Sequence, residues 1–170
     1  MKATRRGFAL LAAGLIAFAS QALAGPLASP EGAAILVVSG NITNTNDGAV
    51  ARFDREMLEA MGMVKVTTLT PWYDSPSEFE GVSMRALMEL VGAEGTEVLA
   101  TALNDYQSAI PMADFDRYIV VLALKRDGMP MPIRDKGPLF IVYPFDSDPR
   151  LQTEQYYGRA VWQLKELNVR

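Results

Sequence analysis

Residues Leu103 to Pro144 read LNDYQSAIPMADFDRYIVVLALKRDGMPMPIRDKGPLFIVYP, and turn signals and apolar runs alternate through them in a fixed order. Asn104-Asp105 is a tight turn feeding an extended Tyr106 to Ile110, because short Asx side chains bond their own backbone and tolerate left-handed geometry. A helical turn follows around Ala113 to Asp116. Tyr118 to Leu124 is almost continuously apolar, the pattern of a central strand covered on both faces. Arg126-Asp127-Gly128 turns the chain into a strand from Met129 to Ile133. Asp135-Lys136-Gly137-Pro138 is a second turn, before a buried strand from Leu139 to Tyr143.

Strands dominate on either side of this stretch. Ala34 to Ser39 is an apolar run of strand length, and Asn44 to Gly48 is a polar cluster leading into a short extended piece, Ala49 to Phe53. That cluster has a faint likeness to a calcium loop but lacks the distal Glu, so it reads as a turn. Asp54 is placed to cap a helix through Ala60, with Met57 and Leu58 inward and Gly62 as its stop. Met63 to Leu69 alternates and is rich in Val and Thr, as strands are. Ser83 caps a second helix, with Met84, Leu87, Met88 and Val91 at helical spacing and Gly92 past its end. Glu97 to Leu103 and Ala160 to Leu167 complete the expected strands. The fold class is α+β, strand-dominated.

Five features fall in a telling order: Phe79-Glu80-Gly81-Val82-Ser83-Met84 entering a helix, Asn104-Asp105-Tyr106, the Asp127-Gly128 turn, Asp135-Lys136-Gly137-Pro138, and Ala160-Val161-Trp162-Gln163-Leu164. In that order they resemble the molybdopterin-binding domain of the sulfite oxidase family, and the likeness spans roughly the whole mature chain. The resemblance implies a sulfite oxidase-like fold and a pterin or molybdopterin-like ligand. In that family one Cys binds molybdenum beside the two dithiolene sulfurs of the pterin, a soft ligand for such a site. This chain has no Cys, and Val66-Thr67-Thr68-Leu69-Thr70-Pro71-Trp72 stands in the corresponding place. No direct ligation of metal by protein is therefore expected, and Met thioether is a poor substitute.

A pterin presents a flat π-system and an edge with adjacent N–H donors, so its pocket wants an aromatic face and a carboxylate. Asp105 and Asp135 are the leading carboxylates, and Tyr106 and Trp72 the leading rings, with Asn104 beside them. Asp105 also reads as a simple turn residue, and Asp135 as a surface partner of Arg134 or Lys136. Arg134 and Lys136 match the region where the family holds the pterin or its phosphate, although an exposed basic pair is the plainer reading. Trp162 and Tyr143 lie within apolar strand patterns and read as core.

Composition narrows the function. With about half of its 170 residues apolar, the chain can bury a sizeable core. The absence of His as well as Cys excludes zinc fingers, zinc hydrolase sites and Ser-His-Asp triads. Lys2, Arg5 and Arg6, the apolar run Gly7 to Ala19 and the small-residue site Ala22-Leu23-Ala24 form an export signal over residues 1–24, cleaved after Ala24. Residues 25–170 are then a single periplasmic domain. Its apolar runs are too short to insert in a membrane. Loss of Lys2, Arg5 and Arg6 takes the 16 basic residues to 13 against 20 acidic ones, a formal charge of −7, which repels nucleic acid.

Two function classes follow from the resemblance. The first is a periplasmic pterin-binding module, similar to PruR-type regulators that lack the Cys, responding to a small-molecule pterin and acting on the periplasmic domain of a membrane signalling receptor. The second is a molybdopterin-dependent oxidoreductase whose metal is held by the dithiolene alone. The first is favoured, because a site without its thiolate loses both anchor and tuning. Arg5-Arg6 followed by Phe8 also resembles a twin-arginine signal. The usual Lys after the Phe is absent, however, and the apolar run is strong. Replacing Arg5 and Arg6 by Lys is therefore expected to leave export intact, and fractionation of cells showing complete loss would establish the twin-arginine route.

Overall fold

A computed structural model describes residues 27–170; the expected export signal, residues 1–24, lies outside the described residues. Two sheets carry the architecture. The first is built from β1 (Leu36–Gly40), β2 (Ala51–Phe53) and, later in the chain, three longer strands. After β2 come α1 (Arg55–Ala60), β3 (Val64–Thr68), β4 (Ser77–Ser83) and α2 (Met84–Leu90). The middle of the chain forms β5 (Glu97–Ala102), β6 (Gln107–Pro111), α3 (Ala113–Arg117), β7 (Val121–Arg126) and β8 (Met129–Pro130). Last are β9 (Phe140–Val142), α4 (Glu154–Arg159) and β10 (Leu164–Val169), with short 3-10 turns between. The first sheet runs β2-β1-β10-β5-β6 and the second β3-β4-β7-β8, with β9 on the same side of β7 as β8. Among the described residues, only β1 and β10 pair in parallel; every other strand pairing is antiparallel.

Residue pattern accounts for most of these elements. In β3, Val66 and Thr68 are buried while Lys65 and Thr67 face out, the alternation of a strand with one wet face. Val121 to Leu124 and Phe140 to Val142 are buried at every position, as expected of strands covered on both faces. Met84, Leu87 and Met88 fill the inner face of α2, and Ser83 Oγ accepts from the Ala86 N–H at 3.5 Å. Asn44 to Gly48 forms a turn, with Asp47 and Val50 exchanging backbone hydrogen bonds of 3.1 Å.

Four sequence expectations need correction. Met129 to Ile133 yields only the two-residue β8 before a 3-10 turn at Ile133–Asp135, because Pro130 and Pro132 remove ladder donors. The last strand starts at Leu164 rather than Ala160. Gln163 takes a left-handed φ of 52° and offsets the chain before it. β4 was not expected as a strand, since Glu78, Glu80 and Gly81 are poor strand formers. Its pairing with β3 and β7 overrides that preference, and a Cβ at Gly81 would collide with the Leu122 carbonyl. α4 was not expected either; it is six residues long, contains Gly158, and has no side-chain cap.

Asp54 joins local and tertiary structure. Its carboxylate accepts from the Met57 N–H at 2.9 Å, capping α1, and from the Gly32 and Glu31 N–H groups at 2.8 and 2.9 Å. These backbone donors, Gly32 foremost, hold its pKa below 3.8. A lowered folded pKa gives stability that is complete above the unfolded value and lost as pH falls through the folded one. Asp54→Asn is expected to reduce stability at neutral pH and to change it less below about pH 4, as urea melts at the two pH values would show.

Candidate functional site

An apolar pocket of about 380 Å³ opens where the β5–β6 turn, the loop after β3, α4 and the segment before β10 meet. Each element contributes a ring or a polar group. From the loop after β3 comes Trp72, set by the Thr70-Pro71 turn, where the Thr70 hydroxyl accepts from the Trp72 N–H at 3.4 Å. The indole packs edge-on against Phe140 at 5.5 Å and Tyr157 at 6.2 Å between centroids. Edge-to-face pairs of this kind fix ring orientation as well as bury area.

Asn104 and Tyr106 come from the β5–β6 turn. Asn104 Oδ1 accepts from the Tyr106 N–H at 3.1 Å, an Asx turn that aims both side chains at the pocket. The Tyr106 hydroxyl donates to the Gly158 carbonyl at 3.0 Å, tying the turn to α4, while the residue remains 49% exposed. α4 supplies Glu154 and Tyr157, and Ala160 and Trp162 close the remaining side. Trp162, expected in the core, is 37% exposed and lines the pocket. The left-handed Gln163 breaks the strand alternation on which that expectation rested. Tyr143 does lie in the core, fully buried.

α4 is held in place from behind. Asp114 of α3, buried, accepts from the Arg159 guanidinium at 2.8 Å and the Tyr143 hydroxyl at 2.9 Å on the same carboxylate oxygen. Burial, then the Asp114 charge, pushes the Tyr143 pKa well above its usual value, so the phenol stays a donor. Tyr156 stacks edge-on against Tyr143 at 5.5 Å and Tyr118 at 5.9 Å. The adjacent tyrosines of α4 thus face opposite ways, Tyr156 toward this support and Tyr157 toward the pocket.

Of the residues selected from sequence, Trp72, Asn104 and Tyr106 meet in this pocket. The other four sit elsewhere. Asp105 takes a left-handed φ of 64° and its carboxylate receives Lys165 Nζ at 2.7 Å; that hydrogen bond lowers its pKa. Asp135 accepts from the Tyr73 hydroxyl at 3.0 Å and pairs with Arg126 at 3.2 Å. Both of its oxygens are engaged, which leaves it poorly placed to take two donors from a ligand. Arg126 and Lys136 lie over the Tyr73 ring, 3.8 and 4.5 Å from its centroid, a cation–π cluster that packs the loop. Arg134 is exposed on the 3-10 turn. Sequence reasoning missed Glu154, Tyr157 and Ala160, because a six-residue helix shows no apolar period; the Tyr156-Tyr157 pair was the one available signal.

Two further hollows adjoin the pocket. One, of about 220 Å³, shares Tyr157 and is walled by Leu69, Thr70 and Asp146. The other, of about 510 Å³, carries no aromatic ring and is lined by Ile35, Val37, Leu103, Ile133 and Leu164 among others. Leu103 and Asn104 are consecutive, so the β5–β6 turn walls the aromatic pocket on one side and this broader hollow on the other.

A strand-dominated α+β domain with an aromatic cleft between its sheet-edge turns is the class that this geometry defines. The model of the oxidoreductase molybdopterin binding domain matches residues 52–145, more than half of the chain, and the chain belongs to that family. Among solved structures, the sulfane dehydrogenase SoxCD from Paracoccus pantotrophus shares the fold, with a TM-score of 0.61 at 18% identity over 79% of this chain. The chain spans 37% of the length of that neighbour. No curated protein matches it.

The two halves of the family's cofactor fit this chain unequally. Flat rings suit the aromatic pocket. The segment in the place of the metal's thiolate instead offers Thr68, a buried hydroxyl that accepts from the Asp146 N–H at 3.1 Å and donates to the Leu69 carbonyl at 3.3 Å. A saturated hydroxyl is no replacement for a soft thiolate, so the residues fit a pterin and not a protein-ligated molybdenum.

The support beneath α4 is testable. Asp114→Ala strands the largely covered Arg159 guanidinium and the buried Tyr143 phenol, and breaking a buried pair from one side costs about 3–5 kcal/mol. The expected result is a loss of that size in urea unfolding, against little change for Asp116→Ala, an exposed neighbour on the same helix. Equal losses in the two variants would show that α4 does not depend on this pair.

Proposed function

We propose that the chain is an exported pterin-binding module rather than an oxidoreductase. The observation that supports this most is the convergence of Trp72, Tyr106, Tyr157 and Trp162 on one apolar pocket, beside a segment whose thiolate is replaced by buried threonines. Its volume of about 380 Å³ falls in the range of small-molecule sites, roughly 300–1,000 Å³. Rings at the walls give a flat heterocycle stacking partners on several sides, and the apolar lining rewards its desolvation. Catalysis at molybdenum would need an anchor that these residues do not supply.

A regulatory role, acting on the periplasmic part of a membrane receptor in the manner of PruR-type proteins, is the functional context we infer. The support for it is the β5–β6 turn. A ligand that moves Asn104 or Tyr106 also moves Leu103, which is 44% exposed in the neighbouring hollow, and the Asp105–Lys165 pair beside it. Pocket occupancy can thereby change an outer surface without any long-range path.

Calorimetric titration of the mature protein with reduced and oxidised pterins tests the reading. Stacking on an aromatic side chain is worth about 1–3 kcal/mol, roughly five- to a hundredfold in Kd. Trp162→Ala and Tyr106→Ala are expected to weaken binding by that factor while melting temperatures stay close to wild type. Asp105→Asn and Asp135→Asn, both outside the pocket, are expected to bind as wild type does. No pterin binding by the wild-type protein would sink the proposal.

A further inference from the structure

The mouth of the aromatic pocket carries polar groups of two opposite kinds. Asn104 has its Oδ1 engaged by the Tyr106 N–H, which leaves its NH2 group to donate. Glu154, on the first turn of α4, is the one charged side chain among the described residues lining the pocket. Its carboxylate offers two acceptor oxygens side by side and no donor. Glu154 and Asn104 together therefore bring two acceptor oxygens and one donor group to the pocket lining.

The complement is a flat ring whose edge runs donor, donor, acceptor. A 2-amino-4-oxopyrimidine ring has that edge: the exocyclic amino group, the adjacent ring N3–H, and the C4 carbonyl. We propose, resting on the ligand reading above, that Glu154 takes the amino and N3–H donors while Asn104 donates to the carbonyl. The site then selects 2-amino-4-oxo heterocycles over 2,4-dioxo ones, in which a carbonyl replaces the amino group and faces the carboxylate oxygen. Glu154 sets specificity and the rings supply affinity. Pterins and guanine share this edge chemistry, and the assay separates them.

The experiment is calorimetry on the mature protein with pterin (2-amino-4-oxopteridine), lumazine (2,4-dioxopteridine) and guanosine, with melting curves for every variant. Wild type is expected to bind pterin at least about tenfold tighter than lumazine, the worth of one charge-assisted hydrogen bond. E154Q should weaken pterin about ten- to a hundredfold and leave lumazine within about twofold, erasing the preference. N104D keeps the acceptor that the turn needs but removes the donor, and should weaken both pteridines. Guanosine binding with the same E154Q sensitivity would support the edge assignment and name a nucleobase as the source; pterin binding alone names a pteridine. Equal affinity of wild type for pterin and lumazine, or an unchanged preference in E154Q, overturns the assignment and leaves the stacking pocket standing. Failure of all three probes overturns the ligand reading itself.

Discussion

Asp114 is a carboxylate buried in the fold, and burying an unpaired charge is costly enough that the surrounding chain must answer it. Arg159 and the Tyr143 hydroxyl converge on one of its oxygens, and they come from parts of the chain that share no strand pairing. Arg159 belongs to α4, a helix too short and too poor in helix formers to stand by itself. Tyr143 follows β9 in the middle of the core. Satisfying the Asp114 charge thus fixes where α4 lies, and α4 in turn presents Tyr157 and Glu154 to the pocket. The charge pair is worth less as a source of stability than as a constraint on position.

The pocket's chemistry follows from what surrounds that helix. Trp72 packs edge to face against Phe140, Phe145 and Tyr157 at centroid separations of 5.5 to 6.4 Å, and Phe145 and Tyr157 lie tilted at 5.1 Å, so the rings of this wall hold one another in orientation. Tyr106 is held from the other side by its bond to Gly158. Few polar groups interrupt this lining. Asn104 and Glu154 are the lining side chains that are neither aromatic nor aliphatic, and a small number of polar contacts in an apolar site decides orientation.

Where a thiolate would anchor a metal, this chain has built a braced loop. Asp146 accepts the Leu69 N–H at 2.7 Å through its carboxylate and donates its own N–H to Thr68. The loop is therefore ordered by hydrogen bonds between protein groups, where coordination would have ordered it in a metal site.

The sequence by itself determined the class of the domain, because strand and helix signals are local. Alternating Val and Thr in β3, the all-apolar runs of β7 and β9, and the Asp54 and Ser83 caps each depend on residues close together in the chain. It also singled out Trp72, Asn104 and Tyr106, which lie in turns whose residue types are distinctive and which folding brings to one pocket. β4 escaped notice because its pairing on both sides compensates for poor strand formers, and pairing partners are not local. The sites of Glu154, Tyr157 and Trp162 were decided only by the tertiary structure. α4 is tied to the core by the Asp114–Arg159 contact, 45 residues apart, and Trp162 turns outward at a left-handed residue whose Nε2 donates to the Ile133 carbonyl at 2.7 Å. Asp105 and Asp135 looked equally available in sequence. Only folding gave Asp105 its ion pair with Lys165 outside the pocket, and gave Asp135 the Tyr73 hydroxyl and Arg126, one on each oxygen.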